Sequence, residues 1–108
     1  MVKYVSLLRR AEHLSREQFH RWWIDEHTLI AKRIPGLRRY VVSLAVGGLD
    51  GEAEWDGMAE LWFDDEAALR AGMLESPEGQ AALADSAAHI SRSCRFITRE
   101  HPVIGGAT

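Results

Sequence analysis

The most regular alternation of apolar and polar positions lies between Phe19 and Tyr40. At about 100° per residue, Phe19, Trp23, Ile30 and Ile34 fall on one helical stripe, with Arg21, Asp25, Thr28 and Lys32 opposite. Ser15 offers a hydroxyl to the free N–H groups of the first turn, and Gln18 completes a capping box. Pro35 and Gly36 stop the helix, because proline disfavours helical backbone at Ile34 and glycine permits a tight turn. The pattern predicts a helix over residues 15–34.

Residues 37–46 then alternate with period two and predict a strand. Tyr40, Val42, Leu44 and Val46 share the more apolar face, which is expected to lie against the helix. Residues 3–9 read as an earlier strand, rich in β-branched and aromatic side chains. Residues 47–51 form a glycine-rich loop that leads into a third strand at 55–63. Those glycines precede a strand, not a helix, so they do not cradle a phosphate. Asp64 and Asp65 cap a second helix at 66–74, and Ser76 with Pro77 starts another stretch reaching about residue 88. A last strand is expected at 91–100. One domain over 1–104 follows, with a flexible tail at 105–108.

The order β-α-β-β-α-β, with its second helix broken in two, predicts an α+β, ferredoxin-like fold. Four antiparallel strands carry their helices on one face. The strands are apolar on both faces, however: Val41, Ala45, Met58 and Trp62 lie behind the helix-facing set. A second copy stacked on the uncovered face would bury them, giving a homodimer closed as a dimeric α/β barrel.

Composition narrows the partners. A net charge of -3 and no long basic run, with Arg9–Arg10 and Arg38–Arg39 pairs and not a patch, argue against nucleic-acid binding. No run approaches the roughly 20 apolar residues of a membrane span, and no signal peptide is visible at the N-terminus. The single cysteine, Cys94, excludes an internal disulfide, suits a reducing cytoplasm, and is expected as a small buried strand residue.

His27 lies within the apolar stripe of the first helix, and Tyr40 points to the same layer. Two polar side chains in an apolar layer must bond to each other, to water or to a ligand. They are either satisfied core residues or the heart of a pocket. The five histidines lack the spacing that puts two ligands on one helix face, so no metal site is expected. Marks of a serine or cysteine triad are also missing. Acid–base work remains: an imidazole titrates near neutrality, and a phenol can donate to a developing oxyanion. The tryptophans offer flat walls, with Trp23 and Trp55 the substrate-binding candidates; Asp85 is a third candidate, expected either to border the pocket or to be a solvated helix charge. Glu60, mid-strand among apolar neighbours, is expected to be structural, as is His101 at a dimer edge. Asp56 and Arg95 carry no assigned role.

Several strings resemble the EthD family of dimeric α/β-barrel proteins: WWIDEH at 22–27, IPGLRRY at 34–40, WDGMAELWFDD at 55–65, SPEGQAALAD at 76–85 and REHPVI at 99–104. They span nearly the whole chain in the family's order. The resemblance implies a small, cofactor-free homodimer with a pocket between sheet and helices. Its characterised members include a methylmuconolactone isomerase, polyketide dehydratases and an accessory protein of ether degradation. The family's pocket histidine and tyrosine match His27 and Tyr40. The expected function is therefore an isomerase, cyclase or dehydratase acting on a lactone, oxygenated-ring or polyketide-like substrate. The alternatives are a non-catalytic binder serving an oxidative pathway, and a monooxygenase or haem-binding relative. The absence of asparagine from this chain argues against an asparagine-dependent oxygenase.

Overall fold

The computed structural model describes residues 1–105; the rest of the tail expected at 105–108 lies outside the described residues. Strand β1 (Val2–Arg10) is central, because its alternate side chains Val2, Leu8 and Tyr4 pack into the helix-side core. It pairs antiparallel with β3 (Gly57–Phe63) on one side and β4 (Ile90–Thr98) on the other. Strand β2 (Arg39–Leu44) joins the outer edge of β3, giving the order β2-β3-β1-β4. This is the expected four-stranded antiparallel sheet with its helices on one face. No helix of the described residues is long and apolar enough to cross a membrane.

The first helix forms where the pattern placed it, but not as one regular rod. Helix α1 (Arg16–Trp22) starts at Ser15, whose side chain accepts from the Gln18 N–H while Gln18 answers to the Ser15 backbone. The turn Trp23–His27 is π-helical, and α2 (Thr28–Ala31) follows. The rod widens where two adjacent indoles, Trp22 and Trp23, are both buried. Such turns often occur at functional sites. The helix stops short of residue 34 because Arg33 and Ile34 bond three residues back, to Ile30 and Ala31, closing a tighter last turn. Gly36 then takes a φ of +83°, available to glycine at no steric cost.

The second helical arm is α3 (Glu66–Arg70), capped by Asp65, a π-helical turn at Ala71–Glu75, and α4 (Pro77–Ala87), capped by Ser76. Gly79 lets α4 rest on the preceding turn, since a Cβ there would run into the Gly72 and Met73 carbonyls. Both strands of the central hairpin are shorter than the alternation suggested. Strand β2 ends at Leu44, and Val46 stands fully exposed beyond it. Strand β3 begins at Gly57, not residue 55, because Asp56 is drawn into a separate network. Cys94 is exposed, not buried: it lies on the helix-free face of edge strand β4. Periodicity gives the face of a strand residue but not what covers that face.

Gly57 decides how closely helix and sheet approach. It sits opposite Leu44 and Leu8, and a Cβ on it would lie 2.6 Å from the Ser43 carbonyl and 2.7 Å from the Trp23 ring. Gly57→Ala is therefore expected to destabilise the protein by about 1–3 kcal/mol through overpacking. Urea denaturation measures that loss, and a changed near-ultraviolet circular dichroism spectrum would report the displaced indole.

Candidate active site

His27 closes the π-helical turn with its side chain buried. Its Nδ1 lies 2.8 Å from Oδ2 of Asp85 on α4. A carboxylate can only accept, so Nδ1 carries the proton and Nε2 keeps its lone pair. Nε2 is 3.4 Å from the hydroxyl of Ser86, the next residue along α4. Burial pushes the imidazole below its ordinary value of 6.5; Asp85 acts in the opposite sense, and His89 adds a smaller downward push. At neutral pH the ring is an uncharged base, oriented by a carboxylate.

Tyr40 comes from β2, opposite Leu61, and its side chain packs against the same core. Burial raises its phenol to about 12, with the neighbouring Trp23 indole opposing the rise. The phenol thus stays protonated and able to donate. The Trp23 N–H does not reach hydrogen-bond geometry with the phenol or any other group, and is left buried without a partner. His27, Tyr40 and Trp23 line one cavity of about 40 Å³, closed by apolar side chains such as Leu61, Met73 and Ala82. That volume holds a few waters at most. A second hollow of about 200 Å³ adjoins it, sharing Tyr4, Ser6, Leu8, Leu83 and Ser86 as walls.

The structure brings His27, Tyr40 and Trp23 together. Asp85 is placed behind the imidazole and does not line the cavity. Trp55 is not brought to it either; its ring lies 5.1 Å from the Arg92 guanidinium, in the loop before β3. Sequence reasoning missed Ser86, and it missed the support under His27. Trp22 stacks on His89, with centroids 4.2 Å apart, and lies 4.9 Å from the His27 ring. His89 in turn donates from Nδ1 to the Asp85 carbonyl, 2.8 Å away. The i, i+4 spacing of Asp85 and His89 was a usable signal that the two lie one turn apart, across the end of α4. Glu60 is structural as expected, 2.7 Å from Lys3 on the helix-free face. Among the described residues, no group of three or more His, Cys, Asp or Glu side chains could hold a metal ion.

The lowered value of His27 makes stability pH-dependent. An unfolded chain protonates this ring near 6.5, before the folded protein does. Its contribution is intact above that pH, is lost progressively as pH falls towards the folded value, and changes no further below it. Urea denaturation at a series of pH values should show wild type losing more stability below 6.5 than His27→Gln. Parallel curves would refute a buried neutral imidazole.

The fold and the cavity define a ferredoxin-like α+β protein with a pocket between its sheet and its helices. The EthD domain model matches residues 11–93, and the chain belongs to the EthD family. It is similar to an EthD family protein from Bacillus halodurans, at 28% identity and a TM-score of 0.78, covering 94% of this chain and 99% of that one. A dimeric ferredoxin-like protein of unknown function from Thermobifida fusca aligns at 21% identity and a TM-score of 0.72, over 90% and 88% of the two chains. SnoaB, a cofactor-independent oxygenase from Streptomyces nogalater, matches in a mutant form at 15% identity and a TM-score of 0.68, covering 97% of each chain. The last two likenesses show the fold alone. Comparison with curated proteins finds no match.

Proposed function

We propose that this protein is a cofactor-independent acid–base enzyme of the isomerase, cyclase or dehydratase type, acting on a lactone, oxygenated-ring or polyketide-like substrate. The observation that carries this reading is His27: buried, neutral, oriented through Nδ1 by Asp85, with Nε2 turned towards Ser86 and a cavity it shares with Tyr40. Nε2 takes a proton from carbon next to a substrate carbonyl. The imidazolium that forms is held by the Asp85 carboxylate, and the carbonyl oxygen, now an enolate, accepts from the Tyr40 phenol. Returning the proton to a different carbon isomerises the substrate; giving it to a departing hydroxyl dehydrates it. Trp23 supplies the flat wall and excludes water. The 40 Å³ cavity admits only the reacting end, so the rest of the substrate occupies the adjoining hollow.

We also infer a homodimer formed through the helix-free face, which carries Val41, Met58, Cys94 and the half-exposed Phe96. The protein of similar fold from Thermobifida fusca is itself dimeric, which supports a pair. The acid–base reading is tested by proton exchange in heavy water, followed by NMR, with a panel of γ-lactones and cyclic 1,3-diketones as probes. Catalysed exchange next to the carbonyl is the expected result. Probes that bind beside His27 without any catalysed exchange would make the protein a binder.

A further inference from the structure

The hollow beside the cavity is lined by one cation, Arg95, which no carboxylate among the described residues pairs. Opposite Tyr4, Ser6 and Leu8 of β1, strand β4 presents Ile97, Arg95 and Ser93 on the helix side of the sheet. Ser6 is buried while its direct partner Arg95 is exposed, so the helical cover ends between these two strands. Arg10, Arg16, Arg38, Arg70 and Arg92 are each paired with a carboxylate of this chain, and of the arginines without such a pair among the described residues only Arg95 lines this hollow. Among the described residues Arg95 has no carboxylate within ion-pair distance, 4.0 Å.

The lining of this hollow is specific in character. Leu8, Leu83 and Ile90 are apolar, Ser6, Ser86 and Ser93 bring hydroxyls, and Arg95 brings the only charge. Apolar walls with one terminal cation fit a ring that carries one negative group. A chain of net charge -3 repels anions in general, so a dedicated cation is needed to admit one. One planar guanidinium, with no second cation in the hollow's lining, matches a singly charged carboxylate better than a phosphate dianion.

We propose that Arg95 is the anion anchor of this site and that the substrate carries a carboxylate, held at Arg95 while its carbonyl end reaches His27 and Tyr40. The proposal rests on the acid–base reading for where the reacting end sits. It adds a specificity residue and a substrate class. Ser93 and Ser86 line the same hollow and lie in reach of groups along the substrate's length.

Benzoate and methyl benzoate are the probes, matched in ring and differing in charge. Titrations followed by NMR, with the His27 ring signals as the position marker, compare wild type with Arg95→Gln and Arg95→Lys. Wild type is expected to bind benzoate at least about tenfold more tightly than the ester. Arg95→Gln should erase the preference without weakening the ester, and Arg95→Lys should keep part of it. Because Arg95 is exposed, both variants are expected to melt with wild type, which a thermal scan confirms. Equal binding of the two probes by wild type, an unchanged preference in Arg95→Gln, or no binding of either probe would overturn the anchor. Failure of the acid–base reading looks different: the preference for benzoate over its ester would stand in wild type and vanish in Arg95→Gln, while the γ-lactone probes show no catalysed exchange.

Discussion

Replacing His27 with glutamine should lower catalysed proton exchange by about 10²–10⁴-fold, the range a positioned general base supplies. Glutamine keeps a polar side chain of similar reach but has no basic nitrogen. The rate measured by NMR in heavy water should drop while the far-ultraviolet circular dichroism spectrum stays that of wild type. Asp85→Asn gives an independent reading of the same geometry. An amide can turn its N–H towards Nδ1, which favours the tautomer with its proton on Nε2 and removes the base from the cavity. Its loss of rate should approach that of His27→Gln, and a double variant should be little worse than either single one. If both variants lose stability but the exchange rate per folded molecule is unchanged, His27 is a core histidine.

The second large effect is on stability. Asp56→Ala is expected to cost about 3 kcal/mol, and to lower the melting temperature by about 10–20 °C for a chain of this size. The Asp56 carboxylate is sealed from water by the arginines around it. It accepts from the Arg10 backbone N–H at 2.8 Å, from Arg10 Nη1 at 2.6 Å and from Arg16 Nε at 2.9 Å. Its carbonyl accepts from His20 Nε2 and from the Ala45 N–H. One residue thus ties the end of β1, the start of α1 and the β2–β3 hairpin together. Arg10 and Arg16 remain about a quarter exposed and can be solvated when released, which holds the penalty to the lower end of the range for buried pairs.

The pH dependence of this contribution has the same sign as that of His27 but lies in a more acid window. Burial pushes the Asp56 carboxyl up, but hydrogen bonds from Arg10 and Arg16 outweigh it and hold the group below its ordinary value. The stabilisation is complete above the usual carboxylate range and is lost only as pH falls through the lower folded value. Calorimetry at pH 7 and in the acid range should therefore show the wild-type advantage over Asp56→Ala shrinking only in strong acid. An equal melting temperature at pH 7 would sink the assignment.

Much of the scaffold was legible because its signals are local. Ser15 with Gln18, Asp65, and Ser76 before Pro77 each act within one turn, so the caps lie where the residues placed them. The wheel put His27 on the buried stripe, and the period-two run put Tyr40 on the helix-facing side; both faces are as read. Asp85 was recognised as a candidate, but not as the partner of His27. Fifty-eight residues separate the two, and their contact depends on how α4 crosses the first helix. Asp56 was unassigned for the same reason, since Arg10 and Arg16 lie 46 and 40 residues away.

By itself, then, the sequence determined the elements, their faces and the order that yields a ferredoxin-like sheet with His27 and Tyr40 inside. Turn chemistry and side-chain period act over a few residues and need no partner. Only the tertiary structure decided what each buried polar group touches. Trp23 seated over Gly57 and α4 seated against Gly72 set the distances between layers, and those distances turn a buried histidine into one held by Asp85 beside a cavity.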